Sequence, residues 1–117
     1  EGLLGDGVAG RDAVDDVLRL RGLPRGRAAA AMSDANYTVL AAQYSKLAME
    51  FTGTLTVQRN VVVPLVDGAV WIVSNNTTGG FGIQVIGATG TGIVIAAGKT
   101  AIVRCDGTNV LRVTADA

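Results

Sequence analysis

From residue 46 onward, short apolar runs alternate with polar, glycine-bearing breaks. Leu47, Met49 and Phe51 alternate with Ala48, Glu50 and Thr52, the period-two pattern of a strand with one buried face. Leu55 and Val57 alternate with Thr54, Thr56 and Gln58, and Val61-Val62-Val63 stops at Pro64, which suits a strand end. Val70-Trp71-Ile72-Val73 does not alternate and reads as a strand covered on both faces. The predicted strands are Leu47–Thr52, Leu55–Val63, Ala69–Ser74, Gly82–Ile86, Gly92–Ile95, Thr100–Cys105 and Val110–Val113, with a further short one at Tyr37–Val39. Ala41–Tyr44 reads as a single helical turn. Breaks recurring about every ten residues predict an all-β domain, an antiparallel β-sandwich or barrel. Its expected core is Leu47, Met49, Phe51, Leu55, Val57, Trp71, Val73, Val85, Ile95, Val103 and Leu111.

Residues 1–35 show another pattern. Asp12 is placed to cap a helix over residues 13–20, with Asp15 and Asp16 in its first turn and Arg19 and Arg21 near its end, an order that complements the helix dipole. Val14, Val17 and Leu18 share one face. Gly22 and Pro24 end the helix. So short a helix needs a surface to dock on, which makes Val14, Val17 and Leu18 candidate assembly residues. Arg25-Gly26-Arg27 and the alanines to Met32 read as a linker with helical tendency, and polar Ser33–Asn36 sets the boundary. The expected division is an N-terminal helix and linker over 1–35 and a β-domain over 36–117.

Composition narrows the chemistry. The 117 residues contain no histidine, one cysteine and ten charges of each sign. Zinc needs several nitrogen or sulfur ligands in register, and Cys105 stands alone. The same cysteine lacks a histidine to activate it, so it reads as a buried strand residue. Asp67, Asp106 and Asn109 are scattered over separate turns and do not read as a calcium cluster. Gly87–Gly92 has a phosphate loop's glycines, but Ile93-Val94-Ile95 comes next, where Lys-Ser/Thr and a helix are required, so it reads as a hairpin turn. The arginines at 19, 21, 25 and 27 are offset by nearby aspartates and lack interleaved aromatics, so no nucleic-acid partner is expected. No apolar run reaches the length of a spanning helix, and no membrane partner is expected. Neither an enzyme nor a cofactor is expected.

Thr52–Pro64, Trp71–Gly80, Thr89–Gly92, Ala97–Ala101 and Cys105–Val110, taken in that order, resemble a β-module of bacteriophage tail fibres and related virion appendages. The resemblance spans about residues 52–113. It implies a non-enzymatic β-domain, commonly a homotrimer, located in the virion and in contact with other virion proteins. The alternative is a receptor- or carbohydrate-binding module at a fibre tip, taking a host surface glycan. Its candidate loops are Asn75, Asn76, Thr77, Thr78 and Phe81, where amides and hydroxyls adjoin an aromatic, and the turn holding Asp106 and Asn109.

Overall fold

The computed structural model describes residues 26–117. The helix expected over residues 13–20, with Val14, Val17 and Leu18, lies outside the described residues. The described chain forms nine strands and one helical turn: β1 (Arg27–Ala31), β2 (Tyr37–Thr38), α1 (Ala41–Tyr44), β3 (Ala48–Thr52), β4 (Arg59–Val62), β5 (Val70–Asn75), β6 (Ile83–Ile86), β7 (Ile93–Ile95), β8 (Thr100–Cys105) and β9 (Val110–Arg112). They make a five-stranded sheet in the order β1-β3-β5-β8-β9 and a four-stranded sheet in the order β2-β4-β6-β7.

The all-β expectation holds, but the antiparallel one needs correcting. β1, β3 and β5 run parallel, as do β2, β4 and β6. Only the ladders made by β7, β8 and β9 are antiparallel. The reason is connectivity. From β1 to β6 each strand is succeeded by one in the other sheet, so a strand meets its own sheet again one full turn later and in the same direction. The chain winds as a β-coil. Partners are 21 residues apart between β1 and β3 (Arg27 beside Ala48) and 24 apart in the other parallel ladders, as in Val61 beside Val85.

Arg27–Ala31 corrects a second expectation. The segment read as a linker with helical tendency is an edge strand of the five-stranded sheet. Alanine favours helix by propensity, but pairing along the whole length of β3 overrides a preference of a few tenths of a kcal/mol per residue.

One core cluster draws side chains from both sheets. Met49, Phe51, Leu55, Trp71, Val73, Val85, Ile95 and Val103 are buried there as expected, with Val61, Ile83, Ala101, Cys105 and Val110. Leu47 and Leu111 are half-buried. Val57 is 47% exposed, against expectation, because the predicted strand Leu55–Val63 begins only at Arg59. Residues 53–58 form a corner of the coil from which Leu55 alone turns inward.

The coil ends in reversals. β6 and β7 form the hairpin expected around Gly87–Gly92. β8 returns along β5 and β9 along β8, and residues beyond β9 continue the pairing, with the amides of Thr100 and Ala117 each donating to the other's carbonyl at 2.9 Å.

Candidate functional site

The two candidate loops fall at opposite ends of the five-stranded sheet. In the β5–β8 ladder Ser74 pairs with Thr100 and Val70 with Arg104. The loop after Asn75 therefore leaves one end, and the turn holding Asp106 and Asn109 leaves the other. Six-residue strands separate them by roughly 15–20 Å. A single ligand site does not contain both sets.

Asn75 and Thr77 lie inside the fold, with Asn75 fully buried. Asn75 sits beside Phe51 in the β3–β5 ladder, so an amide replaces an aromatic ring in the interior column. Its Nδ2 donates to the carbonyls of Ile95 at 2.9 Å and Phe81 at 3.2 Å. Its Oδ1 accepts from the backbone N–H of Thr77 at 3.1 Å and the Thr77 hydroxyl at 2.5 Å. Its backbone N–H donates to the carbonyl of Lys99 and its carbonyl accepts from the amide of Gly98. A buried amide is tolerated when all its groups are partnered, and here they are. Asn75 thus links β5, the loop after it, and β7 of the opposite sheet. Of the candidate residues in this loop, Asn76, Thr78 and Phe81 stay at the surface, and Thr78 shares a 2.9 Å hydroxyl contact with Thr54 one turn earlier.

At the other end Asp106 and Asn109 are also spent internally. Asp106 Oδ1 accepts from the amides of Thr108 at 2.9 Å and Asn109 at 2.7 Å, closing the turn. Those bonds, the Asn109 amide first, hold its carboxyl below the usual carboxylate range. Asn109 Oδ1 accepts from the amide of Thr91 at 2.8 Å, tying the β8–β9 turn to the β6–β7 loop. Arg112 donates to the carbonyl of Val94 and to Asp116, whose other oxygen accepts from the amide of Ala96 at 3.0 Å.

Sequence reading missed Asp34. The corner of the first turn is shorter than its successor, with six steps from Ala31 to Tyr37 against nine from Thr52 to Val61, their ladder partners. The Asp34 carboxylate bridges the difference. It accepts from the Thr56 hydroxyl at 2.6 Å, the Thr56 amide at 3.0 Å and Arg59 Nε at 3.1 Å. Asn36 does the same nearby, accepting from the amide of Asn60 at 2.9 Å. The signal available in sequence was only a polar Ser-Asp-Ala-Asn turn. The Thr56 hydroxyl and amide, with Arg59 after them, lower the Asp34 pKa to about 2. A carboxyl with a depressed folded pKa stabilises the fold above its unfolded value, near 4, and that contribution is lost as pH falls toward 2. Urea unfolding at pH 6 and at pH 2.5 is expected to show a smaller acid loss of stability in Asp34→Asn than in the wild type.

Among the described residues, no three His, Cys, Asp or Glu side chains cluster in a way that could hold a metal. An open groove of about 520 Å³ is lined largely by Tyr44, Leu47, Pro64, Val66, Val70 and Trp71. It is apolar, and the Trp71 indole N–H that could face a ligand donates instead to the carbonyl of Tyr44 at 2.8 Å. No protein-family model matches the chain, and no curated protein or solved structure matches it.

Proposed function

We propose that the chain is a structural module of a bacteriophage tail fibre or other virion appendage, working by homotrimeric assembly and by contact with neighbouring virion proteins. One observation carries this reading: the polar side chains at the coil's corners and its closed end are spent on holding its turns together. Asp34, Asn36, Asn75, Asn109 and Asp116 each receive backbone amides or present donors to backbone carbonyls from a distant part of the chain. That arrangement makes a stiff scaffold. The tail-fibre resemblance over residues 52–113 points the same way, since its ordered pieces coincide with the second and third turns and the closing strands.

A fibre-tip receptor or glycan module is the second reading, favoured by Phe81, which is 38% exposed next to two glycines. It is restricted to the Asn76–Phe81 side, because the Asp106–Asn109 turn lies at the far end. Saturable binding on a glycan array, abolished by Phe81→Ala with the fold kept, would favour it.

The assembly reading is tested by melting the full chain over a hundredfold concentration range. Association coupled to folding makes the midpoint rise with concentration, whereas a lone folded chain melts at one temperature throughout.

A further inference from the structure

The apolar groove beside Trp71 is built from successive corners of the coil. Tyr44 and Leu47 come from the corner before β3, Val66 and Ala69 from the corner before β5, and Val70 and Trp71 open β5 itself. Among the described residues Val66 is 57% exposed and Val70 42%. Small-molecule sites carry a few placed polar groups that fix a ligand's orientation. Here the Trp71 indole N–H is already given to the carbonyl of Tyr44, and the Tyr44 hydroxyl is the one other polar side-chain group in the lining. Such a groove suits aliphatic side chains, whose burial needs no directional partner.

The chain enters the described fold beside this groove. The amide of Ala48 donates to the carbonyl of Gly26 at 3.2 Å, and the amide of Ile72 to the carbonyl of Leu47 at 2.9 Å. Gly26, Leu47 and Trp71 thus form one row across the sheet, a residue ahead of the row of Arg27, Ala48 and Ile72. The spacing of paired strands puts Gly26 about 5 Å from Leu47 and about 10 Å from Trp71. Gly26 has φ 85°, so the backbone bends there out of the extended line of β1. The series of corners that runs through residues 63–69 and 39–47 leads, one turn earlier, into the residues that precede Gly26. Those residues include the amphipathic stretch of the sequence, with Val14, Val17 and Leu18 on one face, and Leu23 three positions from Gly26. Three residues span up to about 10 Å, so Leu23 is within reach of Leu47 and Trp71.

We propose that residues 13–25 of the same chain occupy this groove. Leu23 enters it beside Leu47, and the face of Val14, Val17 and Leu18 covers Val66 and Val70. The tether favours this segment over a second copy, because a short connection gives it an effective concentration on the order of millimolar. Filling the groove takes Val66 and Val70 out of water and joins the start of the chain to two corners of the coil. The proposal does not depend on the assembly reading.

The test uses the full chain with Val66→p-benzoylphenylalanine, a replacement at an exposed position on the rim of the groove. Light couples the benzophenone to a C–H group lying against it. Denaturing electrophoresis separates links within a chain from links between chains, and peptide mass spectrometry locates them. The expected result is a link to residues 13–25 in a band of single-chain mass. Trp71 is the chain's one tryptophan and supplies a second readout. Leu18→Asp/Leu23→Asp is expected to shift its emission to the red and to raise its quenching by acrylamide, with circular dichroism unchanged. Should the aspartate variant not fold, the photochemical link decides alone, since position 66 lies outside the core. A link to residues 13–25 of another chain assigns the groove to a second copy and overturns the proposal. Links only elsewhere, or none, overturn it as well, as does a folded aspartate variant whose Trp71 emission and quenching match the wild type. The mass of the chain in solution tests the assembly reading separately.

Discussion

Replacing Asn75 with leucine is expected to cost about 4 kcal/mol, among the largest effects of any single change in this chain. The side chain is fully buried and serves four partners. Leucine is similar in size but leaves the Thr77 amide and hydroxyl and the carbonyls of Phe81 and Ile95 without their partner. Each abandoned buried group costs on the order of 1–3 kcal/mol, reduced where local relaxation finds a substitute. For a domain of this size the melting midpoint is expected to fall by roughly 15–30 °C. Asn75→Asp sharpens the test. It presents a second acceptor to two carbonyl oxygens, so it is expected to be at least as damaging at neutral pH and to recover partly as acid protonates it. A melting curve within a few degrees of wild type for Asn75→Leu would show that the amide does not hold the loop and β7 together.

Gly79 is the second position of large effect. Its φ of 106° lies outside the range that side chains readily adopt, and a Cβ there would stand 2.2 Å from the carbonyl oxygen of Leu55, one turn earlier. Gly53 repeats the arrangement one turn back, with φ 113° and a Cβ position 2.3 Å from the carbonyl oxygen of Met32. The obstruction is backbone, which cannot move without separating the turns. Gly79→Ala is expected to cost at least about 3 kcal/mol, combining conformational strain with the forced separation. Gly80→Ala is the internal control. Its φ is 85° and nothing lies within 4 Å of the added carbon, so only strain of about 1 kcal/mol applies. Denaturant midpoints of the two variants separate the stacking contact from the cost of backbone conformation. Equal losses would contradict close stacking of the coil at this corner.

The strands themselves were largely legible. Ala48–Thr52, Val70–Asn75, Ile83–Ile86, Thr100–Cys105 and Val110–Arg112 fall within a residue or so of the runs that alternation marks out. Pairing was not legible, because alternation reports which side of a strand is buried and says nothing of its neighbour. The 24-residue recurrence that defines the coil is present in Val61 and Val85 and in Thr54 and Thr78. It is carried by β-branched residues that occur throughout the chain, so it does not stand out. β1 was hidden by four alanines whose local preference is helical. Val57 was misplaced because Leu55 and Thr56 continue an alternating pattern through a corner where no strand runs.

The candidate loops show the same limit. Polar residues between two strands look alike in sequence whether they meet solvent or fill the interior. Asn75 was read with the loop and belongs to the core, while Asn109 and Asp106 are consumed in closing turns. The two faces of β5 were half legible. The unbroken Val70–Val73 run predicted a strand covered on both faces, and the described residues bury only Trp71 and Val73, on one of them.

The most direct measurement of the assembly reading is the mass of the full chain in solution by light scattering at several concentrations. The account predicts a species of three 11.9-kDa chains. A folded chain that keeps the mass of a single 11.9-kDa copy up to millimolar concentration would contradict it.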